Sequence, residues 1–179
     1  MFRKFEDFFG ETMKKQWSIG QSPYRRFIAR FWGKQFAHGL FNAFTETDIY
    51  KMEAMVYKAY PEFANKTLLF GYDWLGRIYG ITKKNGKELI MQFEIGSLDV
   101  IRIPCDFLTF LNEEIPRYHK ECLASEYFEQ WKTIGDPPRY GRCIGYKVPL
   151  FLGGKDALEN LEDSDMEVYW HILSSASGM

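Results

Sequence analysis

The side chains that could do chemistry are thinly spread along this chain. His38, His119 and His171 lie far apart, with no HExxH run and no i, i+4 pair. The spacing that sets two imidazoles on one helix face for a metal is therefore missing. Cys105, Cys122 and Cys143 are odd in number and widely spaced, without a CxxC. That pattern suits neither a disulfide framework nor a zinc site, and reads as reduced thiols in a cytosolic protein. No GxSxG marks a nucleophilic serine. Folding could still bring Asp73, His119 and Cys143 together, so an enzyme with dispersed catalytic residues stands as a competing reading. Gly153-Gly154-Lys155-Asp156 resembles the end of a phosphate loop, but Asp156 stands where Ser or Thr is required and Pro149 where the first glycine belongs. Glu162-Asp163-Ser164-Asp165 lacks the glycine and the terminal glutamate of a calcium loop. Glu113 and Glu114 are adjacent on a helical pattern and must diverge, so they make no acid/base pair. No catalytic set, metal site or cofactor is expected.

Three features survive this search. In GYDWLGR (71–77), Tyr72, Asp73, Trp74 and Arg77 cluster. They read either as a strand end with core rings or as contact residues, since aromatic residues and Arg are favoured at interfaces. RCIGYKVPLFLGG (142–154) is punctuated by Gly and Pro. The stretch 155–167 sets Lys155 against Asp156, Glu159, Glu162, Asp163, Asp165 and Glu167. Glu159, Glu162, Asp163 and Asp165 are candidate contacts to a basic partner, although a solvated helix face would carry the same charges.

The elements that must position these residues follow from periodicity and punctuation. Phe2, Phe5, Phe8 and Phe9 fall at helical spacing within 2–17, weakened at Gly10. A short helix is expected around Phe27, Phe31, Trp32 and Phe36, with Arg25, Arg26 and Arg30 on its outer face. A helix over 46–59 has caps at Thr45 or Thr47 and ends near Pro61. Runs 67–74, 76–84, 87–96 and 100–103 read as strands. Asn85-Gly86 predicts a tight hairpin, because both residues tolerate positive φ. In the third run, Ile90, Gln92 and Glu94 alternate with Met91, Phe93 and Ile95, which predicts one wet and one dry face. Helices are expected from Asp106, over 120–132, over 155–162 and over 165–175, with irregular or edge-strand structure over 139–152.

The chain has 179 residues with 46% hydrophobic and 26% charged, enough for one globular domain with a full core. Net charge is −1, which argues against nucleic acid as a partner. Residues 1–40 carry eight Lys/Arg against three acids, so the chain begins basic and the remainder is acidic. No run approaches the roughly 18 apolar residues of a membrane span, and no signal-peptide pattern opens the chain. The fold class read from these elements is α+β, a central antiparallel meander flanked by helices. It is read as a single domain over 1–179, with 1–44 as an N-terminal helical extension.

The tail GYKVPLFLGGKDALENLEDSDMEVYWHIL (145–173) resembles the C-terminal-domain family of type VI secretion immunity proteins. The positions carrying the likeness are Gly145, Tyr146, Pro149, Phe151, Leu152, Gly153, Gly154, Asn160 and Leu161. TLLFGYDWLGRIYGI with its hairpin and the following helix is similar to a companion GAD-like region, itself related to the SUKH (Smi/Knr-like) immunity superfamily. The likeness spans about 45–175. It implies a SUKH-like fold and a cytoplasmic, non-enzymatic immunity protein whose partner is a protein toxin, often a nuclease. A regulatory scaffold of the SUKH type is the alternative that the same likeness allows.

Overall fold

The computed structural model describes residues 1–11 and 22–177. Its helices are α1 (Arg3–Phe8), α2 (Pro23–Phe31), α3 (Glu46–Ala59), α4 (Phe107–Thr109), α5 (Ile115–Leu123), α6 (Ser125–Trp131) and α7 (Met166–Ala176). Its strands are β1 (Gln35–Phe36), β2 (Phe41–Ala43), β3 (Thr67–Asp73), β4 (Ile78–Lys84), β5 (Lys87–Glu94), β6 (Asp99–Ile103), β7 (Arg142–Tyr146) and β8 (Leu161–Asp165). β1 to β6 form one antiparallel sheet in chain order, and β7 pairs with β8 in a second, two-stranded sheet.

Local chemistry explains most of these elements. Thr45 and Asp48 form a reciprocal capping box at the start of α3. Asn85 and Gly86 both adopt positive φ, of 52° and 76°, and close the β4–β5 hairpin. Asp106 and Asp165 accept the backbone N–H groups of Thr109 and Val168 and so cap α4 and α7.

The alternation in β5 does not produce a wet face. Met91 and Phe93 pack under α3 and α7 beside Met52, Val56 and Trp170. Ile90, with Tyr79 and Phe70, packs on the other face against Phe27, Phe107 and Phe110. Helices cover both faces, so the polar Gln92 is buried as well. The N-terminal segment is more than a helical extension, because it supplies β1 and β2 at one sheet edge. Phe5 of α1 is fully buried and meets Phe27, Phe31, Phe36 and Phe41 edge-on or tilted. The expected helix over 2–17 stops at Phe8, and Gly10 follows with φ 67°. Residues 12–17 of that expectation fall outside the described residues. Arg30 is not on an outer face: its guanidinium pairs with Glu6 of α1. The expected helix over 155–162 is instead a single 3-10 turn at Leu158–Asn160 leading into β8. Of the acidic stretch, Glu162, Asp163 and Asp165 therefore lie on a strand, Glu159 on the 3-10 turn and Glu167 on α7.

Candidate functional site

The cluster at 71–77 lies inside the protein. Tyr72 is 1% exposed, Asp73 and Trp74 0%, and Arg77 7%, so these side chains reach no surface that a partner could touch. Asp73 Oδ2 accepts from Arg77 Nε at 2.7 Å and from Tyr79 Oη at 2.8 Å. Asp73 Oδ1 accepts from the backbone N–H groups of Leu75 and Arg77 at 3.0 and 3.1 Å. Burial pushes the Asp73 carboxyl up, against the opposing pull of Arg77. The Gln92 amide lies 2.9 Å from Tyr79 Oη.

This network is a junction. Arg77 donates to the Cys122 carbonyl at 3.2 Å and Trp74 Nε1 to the Leu123 carbonyl at 3.0 Å. Those carbonyls end α5, where Ala124 turns left-handed at φ 49° and leaves them without helical partners. The Trp74 carbonyl accepts from Ile144 N at 2.7 Å and fixes β7. The Gly76 carbonyl accepts from Trp170 Nε1 at 2.8 Å and fixes α7. A Cβ on Gly76 would lie 3.0 Å from Cys143 Sγ, so the turn and β7 need this glycine to approach so closely.

What the junction positions is a ribbon made of a buried strand, β7, and two outer pieces, the loop 147–160 and β8. The residues carrying the family resemblance all lie on it. Gly145 leaves room for the Tyr169 ring, which would stand 2.5 Å from a Cβ there. Tyr146 is buried, and its hydroxyl donates to Asp156 at 2.9 Å. Burial, reinforced by Asp156, holds this phenol well above its ordinary range. Pro149 is buried, and its carbonyl accepts from Leu152 N and Gly154 N, each at 3.0 Å. Gly153 is left-handed at φ 88°. Gly154 passes so near Val148 that a Cβ would meet its carbonyl oxygen at 1.8 Å. Asn160 staples the loop: Oδ1 accepts from Val148 N at 3.0 Å, and Nδ2 donates to the carbonyls of Val148 and Lys155 at 2.8 Å each. A loop braced in this way still presents apolar side chains outward, with Val148 48% and Leu152 60% exposed.

The four acidic candidates share this ribbon and are exposed, but they are not equivalent. Asp163 receives Arg142 Nε on both oxygens at 2.9 Å. Asp165 caps α7. Glu159 and Glu162 make no ion pair among the described residues. A groove of about 940 Å³ runs beside β8, lined among others by Trp131, Asp136, Arg139, Arg142, Glu162 and Asp163.

The dispersed catalytic set does not assemble. Cys143 lies in the core under α3 and α7, and burial pushes its thiol far above the usual range. His119 is on the other side of the sheet, where Nδ1 lies 2.7 Å from Ser125 Oγ and the ring packs on Phe8. Sequence reading missed the ribbon as a unit and the exposure of Val148 and Leu152. The signal available was the density of Gly and Pro around two apolar residues.

Residues 105–177 match the family model described as T6SS immunity protein Tdi1, C-terminal. The match covers α4 to α7 and the whole ribbon, and takes in rather less than half of the chain. Among solved structures, the crystal structure of Atu4351 from Agrobacterium tumefaciens is similar with a TM-score of 0.59 at 15% identity. That likeness covers 98% of this chain and 89% of the other, and is one of fold. No curated protein sequence matches the chain.

Proposed function

We propose that this chain is an immunity protein that neutralises a secreted bacterial toxin by binding it in the cytoplasm, and that the toxin is a nuclease. The observation that carries the reading is the ribbon: a rigid, exposed loop with an apolar tip and an acidic strand, inside the segment similar to a type VI secretion immunity protein. Preorganised loops lose little entropy on association, so side chains held outward in advance are suited to recognition. Carboxylates suit a nuclease partner, because a cleft that grips phosphates is positively charged and attracts acids by the same field. The three unpaired cysteines fit a reducing compartment.

The test expresses the product of the gene next to this one, mixes it with the purified chain and follows cleavage of a nucleic acid substrate. Cleavage should stop at equimolar chain. Charge reversal at Glu159→Lys with Glu162→Lys should weaken the complex by about tenfold or more, with a salt-dependent association rate. A stable complex that cleaves unimpaired would remove inhibition by occlusion, and no complex at all would remove the reading.

A further inference from the structure

The helix whose end supplies the junction carbonyls contains one wide turn. Between α4 and α5 the backbone is a π-helix over Phe110–Glu114, where Ile115 N reaches back five residues to the Phe110 carbonyl. Pro116 follows at once in α5. Proline has no N–H for the carbonyl four residues back, here that of Asn112, and its ring clashes with that carbonyl in a regular α-helix. A wider turn relieves the clash, and proline and π turns are the usual sites of such irregularity. One extra residue also rotates the helix before the turn by about 100° relative to the helix after it. Phe110 and Ile115, five residues apart, are thus both fully buried.

Asn112 sits inside this turn, and its side chain works on α1. Oδ1 accepts from Lys4 N at 3.2 Å and from Phe5 N at 3.4 Å. Nδ2 donates to the carbonyls of Met1 at 3.0 Å and Leu108 at 3.1 Å. The neighbouring Glu113 pairs with Lys4 Nζ and, at 3.1 Å, with Arg117. α1 needs such a partner from elsewhere. Its own N-cap, Phe2, offers no side-chain acceptor, and the first N–H groups of a helix have none within it. The ion pair of Lys4 and Glu113 is largely exposed and contributes little. The amide bonds of Asn112 are therefore what fixes the start of α1.

We propose that the wide turn at Pro116 is a clasp. It aims Asn112 at α1 as a cap supplied by a distant helix, and so governs local opening of the N-terminal helix over Phe27, Phe31 and Phe36. The measurement is residue-resolved hydrogen exchange of the whole chain, with the Phe128 amide of α6, bonded to the Ala124 carbonyl, as reference. In Asn112→Ala, the Lys4 and Phe5 amides should exchange about tenfold or more faster, with Phe128 unchanged. Asn112→Asp keeps the acceptor and places a negative charge at a helix N-terminus, so both amides should stay protected. Asn112 is only partly buried, so both variants should fold. Pro116→Ala removes the reason for the wide turn. Its new amide at position 116 should be protected by the Asn112 carbonyl, while Lys4 and Phe5 exchange as fast as in Asn112→Ala. Pro116→Ser restores the same N–H and decides the point if Pro116→Ala does not fold. Wild-type exchange at Lys4 and Phe5 in Asn112→Ala overturns the cap. Wild-type exchange there in the Pro116 variants overturns the claim that proline sets the clasp.

Discussion

Replacing Asn160 by Ala should open the ribbon loop without unfolding the protein. Three side-chain hydrogen bonds are lost, two to Val148 and one to Lys155. Each contributes about 0.5 to 1.5 kcal/mol net, so the closed loop should lose on the order of 3 kcal/mol relative to its open forms. Other contacts anchor the segment to the fold: Tyr146 Oη donates to Asp156 at 2.9 Å, Lys147 Nζ to the Glu159 carbonyl at 2.8 Å, and Leu150, Phe151 and Leu158 pack against the core. Leu150 N and Phe151 N donate to the Gly96 carbonyl at 2.8 and 3.3 Å, and the turn at Pro149 to Gly154 is internal. The loss therefore falls on local opening rather than on the global transition. Because about 1.4 kcal/mol is a factor of ten, exchange of the Leu152, Gly153 and Gly154 amides should accelerate by about a hundredfold. The melting midpoint should move by only a few degrees. Asn160→Asp, which keeps the acceptor for Val148 N and loses both donors, should fall between. The assay is residue-resolved hydrogen exchange beside a thermal melt. Unchanged exchange at those amides in a folded Asn160→Ala protein would refute the view that Asn160 braces the loop.

Two further outcomes follow from the packing. Phe5→Ala should cost about 3 to 5 kcal/mol in urea denaturation, because the ring is fully buried among Phe27, Phe31, Phe36 and Phe41; a loss below about 1 kcal/mol would show that α1 is a detachable appendage. Glu94→Gln should stabilise the protein at neutral pH. Burial raises the Glu94 carboxyl above its unfolded value, and Asp99 sits opposite it across the strands. A raised folded value means that the charged form is penalised, so wild-type stability from this group is present at low pH and is lost as pH rises through the folded value. The gain in melting temperature from Glu94→Gln should accordingly appear at pH 7 and vanish near pH 4; a gain equal at both would exclude titration as its cause.

Where a few neighbouring residues settle the matter, the sequence was readable. Thr45 and Asp48 cap α3, Asn85-Gly86 turns the hairpin, and the four runs from 67 to 103 become β3 to β6 because turn residues bound them. The resemblance in the tail located the segment that carries the ribbon. Three other decisions belong to the tertiary structure. The apparent wet face of β5 is dry because helices distant in sequence cover it. Residues 161–165 become a strand because β7 offers a partner for their backbone groups, which no local periodicity can announce. Tyr72, Asp73, Trp74 and Arg77 look like a contact surface by residue type. Instead they form a buried junction, because the ends of α5, β7 and α7 converge on them and supply polar partners for groups that would otherwise need water.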